Sequence, residues 1–215
     1  DNSASLSRVV TVNGDTEVTA TFDVIPFIVA WDFNNEKNSS RGNRPADYAF
    51  STDNTGVMLF YQGSNCASTN WGGGKVTFGG KELWAARRYT DWSKSEQIPR
   101  AFVASFSVKD YDKIKIHSLV ASNNSCVRQR QLLQISTTSS TEGFSTLKTL
   151  TLTENPSSEW LNFDYELDTK NMDGMVYIRW IEDETSDFFD GGNHSSTEGF
   201  YLADVIIFAD QTAED

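Results

Sequence analysis

The chain has 215 residues, 38% hydrophobic and 13% aromatic, which suffices for one large core and excludes wholesale disorder. A formal net charge of −12 and a pI near 4.6 oppose phosphate binding, so nucleic acid and anionic lipid are not expected partners. The sequence holds no run of 18 apolar residues, so membrane insertion by a helix is not expected.

The opening residues, Asp1 to Ser5, do not read as a signal peptide, and a mature piece of a longer protein is expected. Val9 to Phe22 alternates Val and Thr around Asn13-Gly14, a strong hairpin signal. A lone hairpin is too small to stand by itself. Residues 1–26 are therefore read as an N-terminal hairpin that docks on the main domain or as the end of a preceding module, with Pro26 at the boundary. The run Val10 to Phe22 resembles the tail of bacterial extracellular repeats, which implies the end of such a repeat. Residues 27–215 are read as the main domain.

In that domain Ile28 to Phe33 is a buried first strand, followed by Tyr48 to Phe50 and Val57 to Tyr61. Lys75 to Phe78 and Glu82 to Ala86 flank Gly79-Gly80, a second hairpin signal. Phe102, Ala104, Phe106 and Val108 recur with period two, as do Ile114, Ile116, Ser118 and Val120. Leu133 and Ile135, then Leu147 to Leu152, then Trp160 to Phe163, continue the series. Two strongly patterned runs close the chain, Met175 to Ile181 and Phe200 to Phe208, joined by the polar loop Glu182 to Glu198. Many short strands and no helical period predict an all-β fold, an antiparallel jelly-roll β-sandwich. Trp31, Trp160 and Trp180 fall on predicted core faces.

Candidate chemistry is sparse. Cys66 and Cys126 lie in Ser/Asn-rich loops and read equally as one disulfide or two inert thiols. His117 faces away from the apolar side of its strand and His194 sits in a Gly-Gly-Asn-His loop; without a nucleophile elbow they read as surface groups. Glu182, Asp183, Glu184, Asp187 and Asp190 crowd one loop and read as solvated acids rather than a hydrolytic pair. Asp32 on the first strand and Asp204 on the last are candidate metal ligands for a structural calcium, since a hard cation wants carboxylate oxygens. The competing reading makes each a backbone cap or the partner of a buried arginine such as Arg179.

One segment has the composition of a carbohydrate-binding surface. Trp71, Trp84, Arg87, Arg88, Tyr89 and Trp92 fall close together, and Arg128 and Arg130 are candidate additions from a neighbouring strand. Aromatic rings complement the C–H faces of sugars, and guanidinium forks match carboxylates. An acidic polysaccharide would suit both. Against this, alternation allows Trp84 to be core and Arg88 to pair with Asp91.

Several stretches carry a family resemblance. They are Ala30-Trp31-Asp32-Phe33-Asn34, Arg44-Pro45-Ala46-Asp47, Thr52-Asp53-Asn54-Thr55-Gly56, Ala86-Arg87-Arg88-Tyr89-Thr90-Asp91, Tyr177-Ile178-Arg179-Trp180 and Thr197 to Asp204. Together they resemble the accessory jelly-roll domain of secreted bacterial pectate lyases and related polysaccharide-degrading proteins. The resemblance implies a secreted or cell-surface module without catalytic residues of its own, covalently attached to a catalytic module. Jelly-roll binding modules often hold a structural calcium between first and last strands, which is why Asp32 and Asp204 are named as candidates. The expected function is binding of polysaccharide, with pectin as the implied polymer. The alternative is a structural spacer or protein-interaction domain without glycan affinity.

Overall fold

The computed structural model describes residues 27–34, 44–52, 54, 56–62, 71–89, 100–122, 128–152, 159–172, 174–187 and 199–209, of which 60–62, 71–73, 87–89, 100 and 199 by backbone alone. The N-terminal hairpin, Cys66, Cys126, Trp92, Asp190 and His194 lie outside them. The described residues contain strands and no helix. In chain order the strands are β1 (Phe27–Trp31), β2 (Arg44–Pro45), β3 (Tyr48–Ala49), β4 (Val57–Gln62), β5 (Trp71–Phe78), β6 (Lys81–Tyr89) and β7 (Arg100–Ser107). There follow β8 (Lys113–Ser122), β9 (Arg130–Ser136), β10 (Ser145–Thr151), β11 (Leu161–Asn162), β12 (Tyr165–Asp168), β13 (Met175–Glu182) and β14 (Gly199–Ala209). All pairings are antiparallel, and the strands form a β-sandwich of two sheets.

In the first sheet β14 is the hub. One edge pairs with β8 from Phe200 to Ala209. The other edge pairs with β6 through Leu202 and with β1 from Val205 onward. Where the partner changes, β14 carries a bulge: Ala203 faces Leu119 and Ile206 faces His117, so two residues oppose Ser118 alone. The bulge holds Asp204 at φ 46°, a left-handed conformation that Asp tolerates better than most residues. The β5–β6 hairpin extends this sheet, and its Gly79-Gly80 turn has φ of 56° and 77°. Two consecutive positive values are what a tight primed turn requires. The second sheet runs β10-β9-β13-β7-β4-β2.

The main core lies between the sheets and contains Trp31, Phe33, Phe102, Phe106, Ile114, Ile116, Trp180, Phe200 and Val205. Each indole N–H is satisfied. Trp31 Nε1 donates to the Arg44 carbonyl at 3.3 Å, and Trp180 Nε1 donates across the sandwich to Ser118 Oγ at 3.0 Å. Ser118 in turn donates to the Phe163 carbonyl at 2.9 Å. Trp160 departs from expectation. It is half-buried on the outer face of the first sheet, edge-on to Phe78 at 5.1 Å, with its Nε1 donating to the Lys81 carbonyl. Its strand end reaches an apolar patch outside the sandwich rather than the space between the sheets.

Replacing the Trp180 indole by phenyl removes the donor while keeping an aromatic ring, and leaves buried oxygen undersatisfied. Trp180→Phe should lower unfolding free energy by about 2 kcal/mol, read as a shifted urea midpoint with unchanged slope. A midpoint equal to wild type would mean that the cross-sheet hydrogen bond contributes nothing net.

Candidate functional site

The expected aromatic–arginine segment maps onto the β5–β6 hairpin. Trp71 is registered opposite Arg88, Gly72 opposite Arg87, and Tyr89 opposite Gly199 of β14. The backbone thus brings Trp71 and Arg88 side by side. Trp84 is half-buried against the main core, with Lys75 Nζ 5.9 Å from its ring centroid. Its indole therefore serves packing as much as surface. Lys75 also bonds Glu82 at 2.8 Å on the exposed hairpin.

The two arginines expected to extend this surface do not do so. Arg128 is buried, 8% exposed, and its Nη1 donates to the Ser186 carbonyl at 2.7 Å. Arg130 pairs with Asp183 at 2.9 Å and donates to Thr185 Oγ1. Both hold down the start of the β13–β14 connection. The crowded loop acids divide accordingly: Glu182 is buried, Asp183 is paired, and Glu184 and Asp187 are exposed. Hydrogen bonds from Thr185 hold the Asp183 carboxyl below its ordinary range, and Arg130 adds to this. His117 Nδ1 lies 2.7 Å from Asp164 Oδ1, a carboxylate oxygen that accepts from the ring N–H.

Asp32 and Asp204 do come together. They line one cavity of about 340 Å³ with Phe27, Ala30, Trp31, Tyr48, Ile206 and Phe208. Val205 and Ile207 enter the main core, so alternation places 204, 206 and 208 on the outer face of the first sheet. Asp32 accepts from the Asn34 N–H at 2.8 Å and from the Tyr48 hydroxyl at 3.0 Å. That hydrogen bond to a carboxylate raises the Tyr48 pKa. Burial pushes the Asp204 carboxyl up, Lys81 and His117 pull it down, and the Asp32 charge pushes it up again. Among the described residues Asp204 has no hydrogen-bond or ion-pair partner.

The two carboxylates alone do not make up a calcium site. That ion takes six to eight oxygens, and among the described residues no group of three or more His, Cys, Asp or Glu is arranged for a metal. Most of the cavity wall is carbon, and both Asp32 oxygens are already engaged. The backbone-cap reading holds for Asp32. Arg179 is not the partner of either acid, because it lies on the other sheet.

Arg179 belongs instead to a surface that sequence reasoning missed. On the outer face of the second sheet its guanidinium lies 3.8 Å from the Phe144 ring centroid, a stacking distance. Its Nε donates to Gln134 Oε1 at 2.9 Å, and Gln134 Nε2 donates to Thr146 Oγ1 at 3.0 Å. Strand register extends this into a row across five strands: Leu59, Val103, Arg179, Gln134, Thr146. At ~4.8 Å between strands the row is roughly 19 Å long. Val103 within the row is itself fully buried, and with Ala101 and Ile181 it forms the apolar cluster on which Leu59, Leu132, Phe144 and Tyr177 pack. The clue in the sequence was the alternation of Tyr177 and Arg179 against Ile178 and Trp180.

No family model matches the chain, and no curated protein matches it. Solved structures similar to it include adhesin and carbohydrate-binding domains. The K3 cleaved adhesin domain of Lys-gingipain from Porphyromonas gingivalis w83 is 12% identical, with 86% of this chain and 100% of that one covered and a TM-score of 0.49. The C-terminal family 22 carbohydrate-binding module of Clostridium thermocellum Xyn10B is 10% identical, covering 89% and 99%, with a TM-score of 0.44. A family 16 carbohydrate-binding module is 7% identical, covering 58% and 76%, with a TM-score of 0.35. At these levels of similarity, function has to be read from this chain's own residues.

The Arg130–Asp183 pair supplies a pH test. A carboxyl depressed in the folded state adds stability above its unfolded pKa of about 4, and loses it as pH falls through the folded value. Asp183→Asn should therefore melt below wild type at neutral pH, with the gap closing as pH drops below about 4. A gap that persists unchanged into acid would point to lost packing instead.

Proposed function

We propose that this chain is a non-catalytic carbohydrate-binding module of a secreted polysaccharide-degrading protein, taking an acidic polymer of the pectic class along the outer face of its second sheet. The observation that carries this reading is the cross-strand row through Arg179. It offers aromatic and aliphatic carbon at Tyr177, Phe144 and Leu59, an amide at Gln134, a hydroxyl at Thr146 and a guanidinium stacked at 3.8 Å on Phe144. Sugar rings present apolar C–H faces to the first group and hydroxyls to the second; a uronate carboxylate complements the third. A ring beneath the guanidinium and an amide beside it orient the fork before ligand arrives, which reduces the ordering cost of binding. Attached to a catalytic module, such a surface holds that module at high effective concentration on its polymer.

Net charge of −12 works against an acidic polymer at long range. Screening confines that repulsion to roughly 10 Å at moderate salt, so the local guanidinium decides contact. Affinity electrophoresis in gels containing polygalacturonate, neutral galactan or no polymer tests the reading. Wild type should be retarded by polygalacturonate, less so with added salt. Tyr177→Ala/Arg179→Ala should bind roughly tenfold more weakly while melting as a folded protein. An Arg87→Ala/Trp92→Ala variant run beside it decides whether the hairpin segment shares the ligand. Retardation by galactan alone would keep the glycan and discard the pectic assignment. No retardation in any gel would favour the spacer or protein-interaction role.

A further inference from the structure

The cavity on the first sheet is on the opposite side of the sandwich from the proposed glycan row and needs a different occupant. Its walls are Phe27, Ala30, Trp31, Ile206 and Phe208, with Tyr48 at the exposed edge strand and two carboxylates at one end. Asp204 is half-buried, and among the described residues nothing donates to it. A carboxylate removed from water without a partner is costly, and a second carboxylate nearby adds to the cost. Lys81 on β6 and His117 on β8 approach closely enough to be felt, yet neither forms an ion pair with it. His117 is engaged with Asp164. The complementary ligand is therefore a cation that Asp204 can accept hydrogen bonds from.

The walls determine what kind of cation. A metal ion would meet carbon where it needs oxygen. An organic ammonium tolerates aromatic faces and gains from apolar contact along its stem. About 340 Å³ accommodates a short alkyl chain with room for its charged head. We propose that this cavity binds a primary alkylammonium group, with the ammonium between Asp204 and Asp32 and its carbon stem along Tyr48, Ile206 and Phe208. A primary head fits because its three N–H donors match two carboxylates, whereas a quaternary head donates none.

Calorimetric titration of the whole chain tests this with pentylammonium chloride, 1-pentanol and calcium chloride. Pentylammonium should saturate one site, and the isosteric alcohol should bind roughly tenfold or more weakly, since it lacks the charge. Asp204→Asn should weaken pentylammonium by a similar factor while leaving the melt near wild type, because Asn also tolerates positive φ. Tyr48→Ala, at an exposed position, should weaken it several-fold and keeps the test open if Asp204→Asn fails to fold. Nα-Acetyl-lysine N-methylamide provides the second arm. Binding equal to pentylammonium assigns the site to a protein partner's lysine, and weaker binding assigns it to a free amine. Equal binding of alcohol and amine, or undiminished amine binding in both variants, would overturn the proposal. So would a calcium-dependent rise in melting temperature lost in Asp204→Asn with no amine binding in wild type.

Discussion

The indole N–H of Trp180 has to find an acceptor inside an apolar core, and the hydroxyl of Ser118 supplies it. A buried unsatisfied donor costs on the order of 1–3 kcal/mol. The bond therefore fixes β13 of one sheet against β8 of the other. Ser118 is held a second time through its own bond to Phe163. A one-residue slip of β8 would turn this hydroxyl outward and Ile114, Ile116 and Val120 with it. With β8 fixed, β14 meets it in a single register, and its extra residue falls opposite Ser118. That bulge turns Asp204 onto the outer face beside Asp32. The cavity on the first sheet is thus a consequence of how the sandwich is locked.

Antiparallel sheets in a sandwich commonly leave their outer faces to solvent. Here both outer faces carry apolar clusters of their own. Phe78, Ala85, Leu119, Tyr201 and Ala203 form one on the first sheet, and Ala101, Val103 and Ile181 form one on the second. Every described side chain of β7 from Ala101 to Phe106 is buried. These clusters give the side chains of the proposed binding surface rigid footing. Tyr177 and Phe144 rest on the second cluster, so Arg179 is presented by packed rings rather than by a loose loop. Precise presentation of a few polar groups on a fixed apolar base is what a binding surface needs.

Much of the architecture was legible because it is local. Period-two runs marked β7, β8, β13 and β14, and Gly79-Gly80 marked the β5–β6 turn. The short strands β2 and β12 were not, since two to four residues hold too few periods to be seen. Pairing partners were not legible either. Nothing local tells β14 to leave β6 for β1 at Ala203. The acid pair was recognised because Asp32 follows directly on the first strand and Asp204 lies within the last, whereas its carbon walls come from residues that read as ordinary core. Arg128 and Arg130 misled because arginine is as often a strut for a loop as a hand for a ligand. Arg179 was overlooked for the opposite reason: it looked like a buried strut. Its stacking partner Phe144 and its hydrogen-bond partner Gln134 are remote in sequence.

The two surfaces differ in charge as well as in position, and this bears on how an acidic protein handles charged ligands. Arg44 is committed to Asp47, Arg130 to Asp183 and Arg128 to a carbonyl, so these cations serve the fold. Arg179 is oriented by an amide and a ring, which hold its plane. Asp204 on the other sheet is a carboxylate without an ion-pair partner among the described residues. Over a Debye length of roughly 10 Å such groups outweigh a distant net charge. On the two readings proposed above, the outer face of one sheet takes anionic groups and that of the other cationic ones. The fold separates them by placing the apolar core between, so that neither site neutralises the other.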